Sequence, residues 1–298
     1  MNALIRLVVA DMDNTLYSWI DYIVPAVEAM VEQVCRATGF PRIKVIQALK
    51  AVYEKYESNE YPFSLQESSL YEEFPEFDSF DKLVIYPAKT AFAEARRRYL
   101  RLHRGVLETL QTLQARKIPV VALTDAPRNP AEYRARMLKI DTLLAGIYTL
   151  PGFQFPQTVH GRPLVASRIL EKDERGDYRA ACPVVELPRE FEKPNPEGLL
   201  RICREHRVDP REVLVIGDSL KKDVGAARAV GAVDCWAEYG TYVSAEYRER
   251  LDVISAGVVT RRHAASVLES HEHVEATHVL SNFAQVLKVI DSLAGPAS

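Results

Sequence analysis

Short apolar runs recur along the chain at 7–10, 119–123, 213–216, 233–236 and 278–280. Each is rich in Val, Ile or Leu and lacks polar alternation, the pattern of a strand covered on both faces of a parallel sheet. Between the runs, apolar positions return at helical spacing. Val106, Leu107, Leu110 and Leu113 precede PVVALTD, and Leu199, Leu200 and Cys203 precede VLVIGD. Strands alternating with helices predict an α/β sheet.

Two stretches break this rhythm. Residues 17–104, between the first and second strands, carry helical patterns (Val27, Val31, Val34; Val45, Ile46, Leu49, Val52), many aromatics and few strand signals. They read as a separate helical insertion. Residues 150–189 are rich in proline and include GRPLVASRILEKDERGDYRAACPVVEL, which reads as a β-hairpin. A structureless loop of that length is improbable in a compact domain, so an ordered element is expected there. It is also a candidate interface for self-association.

The length of 298 residues suits one large or two unequal domains. The net charge of -3 leaves no field that would make a nucleic acid polymer the partner. No apolar run approaches the roughly 20 residues of a membrane span, and the N-terminal run is too short for a signal peptide. Cys35, Cys182, Cys203 and Cys235 are far apart with no CxxC pair. They read as reduced thiols in a cytoplasmic protein. His263, His271, His273 and His278 read as surface histidines. GDSLKK does not match GxxxxGK[ST] and no GxGxxG occurs, so a nucleotide cofactor has no support.

Open parallel sheets place ligands beyond the carboxyl ends of their strands. Those ends carry Asp11 and Asp13, then Thr124 and Asp125, then Asp218, Ser219 and Asp223, with Lys193 in the intervening EKPNPEG. This set suits phosphoryl transfer to or from a small phosphorylated metabolite. A phosphate ester repels nucleophiles, so positive charge must meet its oxygens. Lys193 and a hard cation such as Mg²⁺, held by Asp11 and Asp218, can supply it. Thr124 can donate to a phosphoryl oxygen. One carboxylate, Asp11, attacks phosphorus, and Asp13 protonates the leaving oxygen and then activates water. Ser219 reads as a turn or cap residue, and Gly217 as the means to a tight turn.

In DMDNT, in LTD, in the lysine of EKPNP and in GDSLKKD, in that order, the chain resembles the haloacid dehalogenase-like (HAD) hydrolase superfamily. The resemblance implies a Rossmann-like core over 1–16 and 105–298, and a helical cap of the C1 type over 17–104. It also implies Asp11 as nucleophile, Asp13 as acid/base, and Thr124 and Lys193 on the phosphoryl group. Mg²⁺ would sit on Asp11, Asp218 and the backbone carbonyl of Asp13. Asp223 would support Lys193 or a metal-bound water. A second aspartate at position 13 looks like the phosphatase branch.

Two positions depart from the family pattern. Asn14 stands where many members have Gly, in a DxDNTLY segment similar to that of nucleotidases and sugar-phosphate phosphatases. Asp125 stands where Asn is common; it either repels a second substrate phosphate or caps a helix. The alternatives are a phosphomutase with the same nucleophile and a non-catalytic binding or regulatory protein. The basic stretch Arg96, Arg97, Arg98, Arg101 and Arg104 reads as a solvated helix face, with one arginine on an anionic substrate as the sharper reading, as for Arg128. Tyr53, Tyr56, Tyr61, Phe63, Tyr71, Phe74 and Phe77 read mainly as cap core, with at least one facing the cleft.

Overall fold

A computed structural model describes residues 4–74, 79–163, 179–257 and 275–294 of the protein. The strands are β1 (Leu7–Ala10), β2 (Val120–Pro127), β3 (Gly146–Leu150), β4 (Thr158–Val159), β5 (Arg162–Pro163), β6 (Val184–Glu186), β7 (Val213–Gly217), β8 (Val233–Ala237) and β9 (His278–Leu280). All but β4 and β5 form one seven-stranded sheet in the order β6-β3-β2-β1-β7-β8-β9. Every pairing in it is parallel. The helices are α1 (Trp19–Thr38), α2 (Arg42–Tyr56), α3 (Leu70–Glu73), α4 (Tyr86–Tyr99), α5 (Val106–Ala115), α6 (Arg128–Met137), α7 (Glu197–His206), α8 (Gly225–Val230), α9 (Ala245–Ile254) and α10 (Gln285–Ala294). This is an α/β Rossmann-like architecture.

The apolar runs explain the three central strands. Alternation along each strand sends Val8, Ala10, Val120, Ala122, Leu214 and Ile216 to one face, where Val106, Leu110 and Leu113 of α5 cover them. Leu7, Val9, Val121, Leu123, Val213 and Val215 point the other way, onto Leu199, Ile202 and Cys203 of α7. With both faces dry, the exposed chemistry is left at the strand ends.

Helices α1 to α4 lie between β1 and β2 in sequence. Ser18 starts α1 by accepting the Asp21 N–H at 3.2 Å, and Gly39, at φ 72°, ends it. The buried stripe Ile23, Val27, Met30 and Val34 of α1 packs chiefly against α4. The chain leaves and re-enters the core side by side. Tyr17 bridges Leu102, and the His103 N–H donates to the Leu16 carbonyl at 2.9 Å. The insertion also leans on α9, where Arg250 pairs with Glu28 at 2.6 Å. Many of its apolar residues join those of the sheet in one cluster, while Val52, Tyr61 and Phe63 form a separate one.

Three expectations change. β3 belongs to the sheet although it does not read as a strand in sequence, and β6, read as part of a hairpin, pairs parallel with β3 instead. β3 mixes Tyr and Thr into GIYTL, and β6 is a three-residue edge. β2 runs through Asp125 to Pro127 instead of ending at 123. Within 150–189, β4 and β5 pair as a short antiparallel hairpin, and Val184–Glu186 joins the sheet as β6. Residues 164–178 lie outside the described residues, as do Phe77, His263, His271 and His273. Cys35, Cys182, Cys203 and Cys235 are free thiols. No helix among the described residues is long and apolar enough to cross a membrane.

Candidate active site

The ends of β1, β2 and β7 converge on one buried ammonium. Lys193 Nζ donates to Asp11 Oδ1 at 2.6 Å, to Asp223 Oδ1 at 2.6 Å and to the Leu123 carbonyl at 3.3 Å. Burial opposes the charge on Lys193, but Asp11, Asp223 and Asp125 outweigh it and hold the ammonium well above its ordinary range. Asp223 is fixed from behind as well, because its Oδ2 accepts the Ser219 N–H at 3.1 Å. Ser219 itself caps the turn after β7, accepting the Lys222 N–H at 3.1 Å.

Asp218 follows β7. Its Oδ2 accepts from Asn14 Nδ2 at 3.4 Å, and its carbonyl accepts from Trp236 Nε1 at 2.8 Å. One oxygen from each of Asp11, Asp218 and Asp223 lies within 4.8 Å of the others, and all three residues are buried. Burial, with Lys193 opposing, pushes Asp11 up to about 7. Burial, then Asp11 and Asp223, push Asp218 well above the carboxylate range. Three carboxylates thus share one ammonium, a surplus of negative charge in a dry site. Close carboxylate oxygens with excess charge are what a hard divalent cation takes, so the donor set fits such an ion. The carboxylate of Asp13 is outside this set.

Two positions show why the backbone can come so close. Asn14 adopts φ 61°, a left-handed conformation that Gly or Asn tolerates and other residues rarely do. That accounts for Asn where Gly is common, and the Asn14 side chain also accepts the Trp19 N–H at 3.0 Å. Gly217 is needed for space. A Cβ there would lie 2.1 Å from the Asp223 carboxyl carbon. Its φ is not left-handed, so the tight-turn reading is replaced by one of close approach.

Thr124 is buried near the end of β2, where its Oγ1 accepts the Ala126 N–H at 3.1 Å. Asp125 is not a helix cap; Pro127 occupies that position before α6. Asp125 instead accepts the Lys193 N–H at 3.1 Å and the Lys222 ammonium at 2.8 Å. It ties the end of β2 to the lysine loop.

Asp13 goes elsewhere. Its Oδ2 accepts from Arg134 Nη2 at 3.1 Å, and its Oδ1 is buried with no hydrogen-bond partner. Arg134, on α6, is fully buried; its Nη1 donates to Glu60 Oε2 and to the Tyr22 hydroxyl, each at 2.6 Å. Burial raises the pKa of Asp13, with Arg134 opposing and Glu60 adding to the rise. Burial also opposes ionised Glu60, but Arg134 and Trp19 outweigh it and Glu60 stays below its ordinary value. The sequence reading missed Arg134 and Glu60. A signal exists, since Arg134 follows Ala131 by three positions and so falls on the buried face of α6 with Ala131 and Ala135. Arg128, by contrast, is spent on Glu132 and Glu186, at 3.0 Å each.

Comparison with known proteins identifies the family. The model of the haloacid dehalogenase-like hydrolases matches residues 5–156, and a second, HAD-hydrolase-like model matches 190–286. A haloacid dehalogenase-like hydrolase domain-containing protein of Arabidopsis thaliana is 47% identical over 51 residues, 16% of this chain and 21% of that protein. Glyceraldehyde 3-phosphate phosphatase of Pyrococcus furiosus is 33% identical over 64 residues, 21% of this chain and 27% of that one. The matches therefore span about a fifth and about a quarter of those relatives. Among solved structures, 2-haloacid dehalogenase from Pseudomonas syringae superposes with a TM-score of 0.53, at 16% identity over 97% of this chain and 99% of that one. A predicted phosphoglycolate phosphatase from Haemophilus somnus gives 0.50, at 16% identity over 96% and 98%. These two speak to the fold alone, while the first family model covers just over half of the sequence. The chain belongs to the haloacid dehalogenase-like hydrolase family.

Proposed function

We propose that the protein is a Mg²⁺-dependent phosphatase of a small phosphorylated metabolite, working through an aspartyl-phosphate on Asp11. The observation that carries this reading is the separation of two neighbouring aspartates. Asp11 sits with Lys193 and the carboxylate trio, and Asp13 is held apart by Arg134 with one oxygen unpartnered. The phosphatase relative from Pyrococcus furiosus points the same way.

When bound at Asp11 and Asp218, a divalent cation supplies positive charge that keeps both ionised and draws charge from the phosphoryl oxygens. Lys193 and Thr124 orient the phosphoryl group. A carboxylate oxygen of Asp11 attacks phosphorus, and the bond from phosphorus to the ester oxygen breaks. Asp13 gives that oxygen its proton. Oδ1 is the oxygen left to carry that proton, because Oδ2 is occupied by Arg134. Asp13 then takes a proton from water as the water attacks phosphorus. The bond to Asp11 breaks, inorganic phosphate leaves, and both aspartates return to their starting state. The helical insertion serves as the cap that excludes bulk water and selects the substrate.

The test is phosphate release from a panel of metabolite esters, with and without Mg²⁺, for the wild type and Asp11→Asn. Release that depends on Mg²⁺ and vanishes in the variant is expected. Release that survives Asp11→Asn sinks the mechanism. Conversion of a sugar phosphate to its isomer, without free phosphate, would make the protein a mutase.

A further inference from the structure

We infer that a cavity between α4 and the start of α6 takes the alcohol portion of the ester, and that this portion is a planar ring bearing a second negative charge. This rests on the phosphatase reading above and narrows its substrate class.

The cavity has a volume of about 300 Å³. An apolar cavity of about 150 Å³ suffices for benzene, so there is room for a substituted ring. Tyr61, Tyr133, Phe153 and Phe155 line it and offer ring faces and edges. Lys89 and Arg96 line it too. They stand two turns apart on one face of α4. Among the described residues, neither forms an ion pair. Lys89 Nζ lies 5.4 Å from the centre of the Phe63 ring, and the Arg96 guanidinium stacks on Tyr133 at 3.7 Å. Arg96 Nε is buried with no hydrogen-bond partner. A buried donor left open beside a second cation calls for an acceptor that carries charge. Burial draws Lys89 down to about 8 against the pull of Asp81, so a bound anion there would stabilise the ammonium.

The carboxylates on the wall do not meet this need. Glu60 acts on Arg96 only through space, its hydrogen bonds going to Arg134, Trp19 and Tyr22, and Glu94 is exposed. Glu60 also fixes where the cavity lies. It lines the wall, and it and Asp13 grip two nitrogens of the buried Arg134 guanidinium, which stands between the cavity and the proposed proton donor. Asn129 and Pro130 bring the same wall close to Thr124 along the chain. Arg96 thus fits the sharper of the two sequence readings of the basic stretch, an arginine on an anionic substrate.

Four esters separate ring from charge: 4-carboxyphenyl phosphate, phenyl phosphate, phosphoglycolate and glycerol 2-phosphate. We expect 4-carboxyphenyl phosphate to have the highest kcat/KM, by at least about tenfold over phenyl phosphate. Lys89→Met and Arg96→Met should each erase that preference, and Lys89→Arg should keep it, with circular dichroism checking the fold. Phenyl phosphate turned over as well as its carboxylate overturns the charge assignment, and so does a preference that survives both Met variants. Phosphoglycolate matching 4-carboxyphenyl phosphate overturns the ring. If no ester releases phosphate, the phosphatase reading fails, and calorimetric titration with 4-hydroxybenzoate still decides the cavity. Saturable binding that weakens at least about tenfold in Lys89→Met supports it; no binding to the wild type overturns it.

Discussion

Lys193 and Arg134 are both buried cations that grip two carboxylates, yet they leave opposite charge problems around them. Lys193 serves Asp11 and Asp223 at 2.6 Å each, with Asp218 close by. Three acids around one compact ammonium leave a surplus that a metal ion would relieve. Arg134 serves Asp13 and Glu60 at 3.1 and 2.6 Å through a planar fork. There two acids share one guanidinium unequally: Glu60 is held ionised and the pKa of Asp13 is raised. One centre asks for a cation and the other for a proton. Two aspartates with a single residue between them can thus do different work, because their side chains enter different electrostatic neighbourhoods. Location differs too. Every partner of Lys193 comes from the sheet and its loops, whereas Arg134 joins α6 to the helical insertion through Glu60 and Tyr22.

The comparison can be broken at either centre. Asp11→Asn should lower phosphate release by at least about 10³-fold, because nothing else at the Lys193 centre is placed to attack. Steady-state assay with Mg²⁺ checks this, and a loss under tenfold would remove Asp11 from the chemistry. Arg134→Met should cost about 3–5 kcal/mol of stability, since it strands Asp13 and Glu60 without a cation. The readout is the urea midpoint, and an unchanged midpoint would show that the guanidinium does not hold the insertion to the core. Gly217→Ala should cost less, about 1–3 kcal/mol, by forcing the Asp223 carboxylate off Lys193. Its midpoint and its phosphate release should fall together. A stable, fully active variant would mean that Asp223 is dispensable to Lys193.

The contrast also explains what the sequence could and could not reveal. The sheet is legible because both faces are buried, which turns β1 and most of β7 into unbroken apolar runs. The Lys193 centre is legible because each member sits at a strand end or a helix start, where local pattern fixes position. The helical insertion is visible as a change of rhythm. What it brings into contact is not, since Glu60 meets Arg134 across 74 positions of chain. No local pattern encodes such a pairing. Arg134 carries only the weak mark of a charge on an alanine-lined face, and Arg96 looks like any surface arginine until Tyr133 is placed under it. Strand β3 and the place of the edge strand β6 in the sheet escape notice for a simpler reason: short or mixed strands leave too few positions to show a period.

His103 offers the smallest test and the counter-case to both centres. It sits where the insertion returns to the core, with its N–H on the Leu16 carbonyl and its ring edge-on to Tyr239 at 5.2 Å. Its Nε2 is buried with no partner. Unlike Lys193 and Arg134, it has no carboxylate within ion-pair reach among the described residues. Burial therefore wins over the more distant Asp21, and the imidazole pKa falls below its ordinary value. The sign follows from proton counting. Above about 6.5 the folded and unfolded chains both carry His103 neutral, and it contributes no pH dependence. As pH falls through that value, the unfolded chain takes up a proton that the folded chain declines, so stability is lost until the lower folded value is reached. His103→Gln removes this uptake. Between pH 7.5 and 5.5 the urea midpoint of the wild type should fall more steeply than that of the variant. Parallel curves would mean that His103 is protonated in the folded chain, and that a buried base at this junction keeps its charge without an acid to hold it.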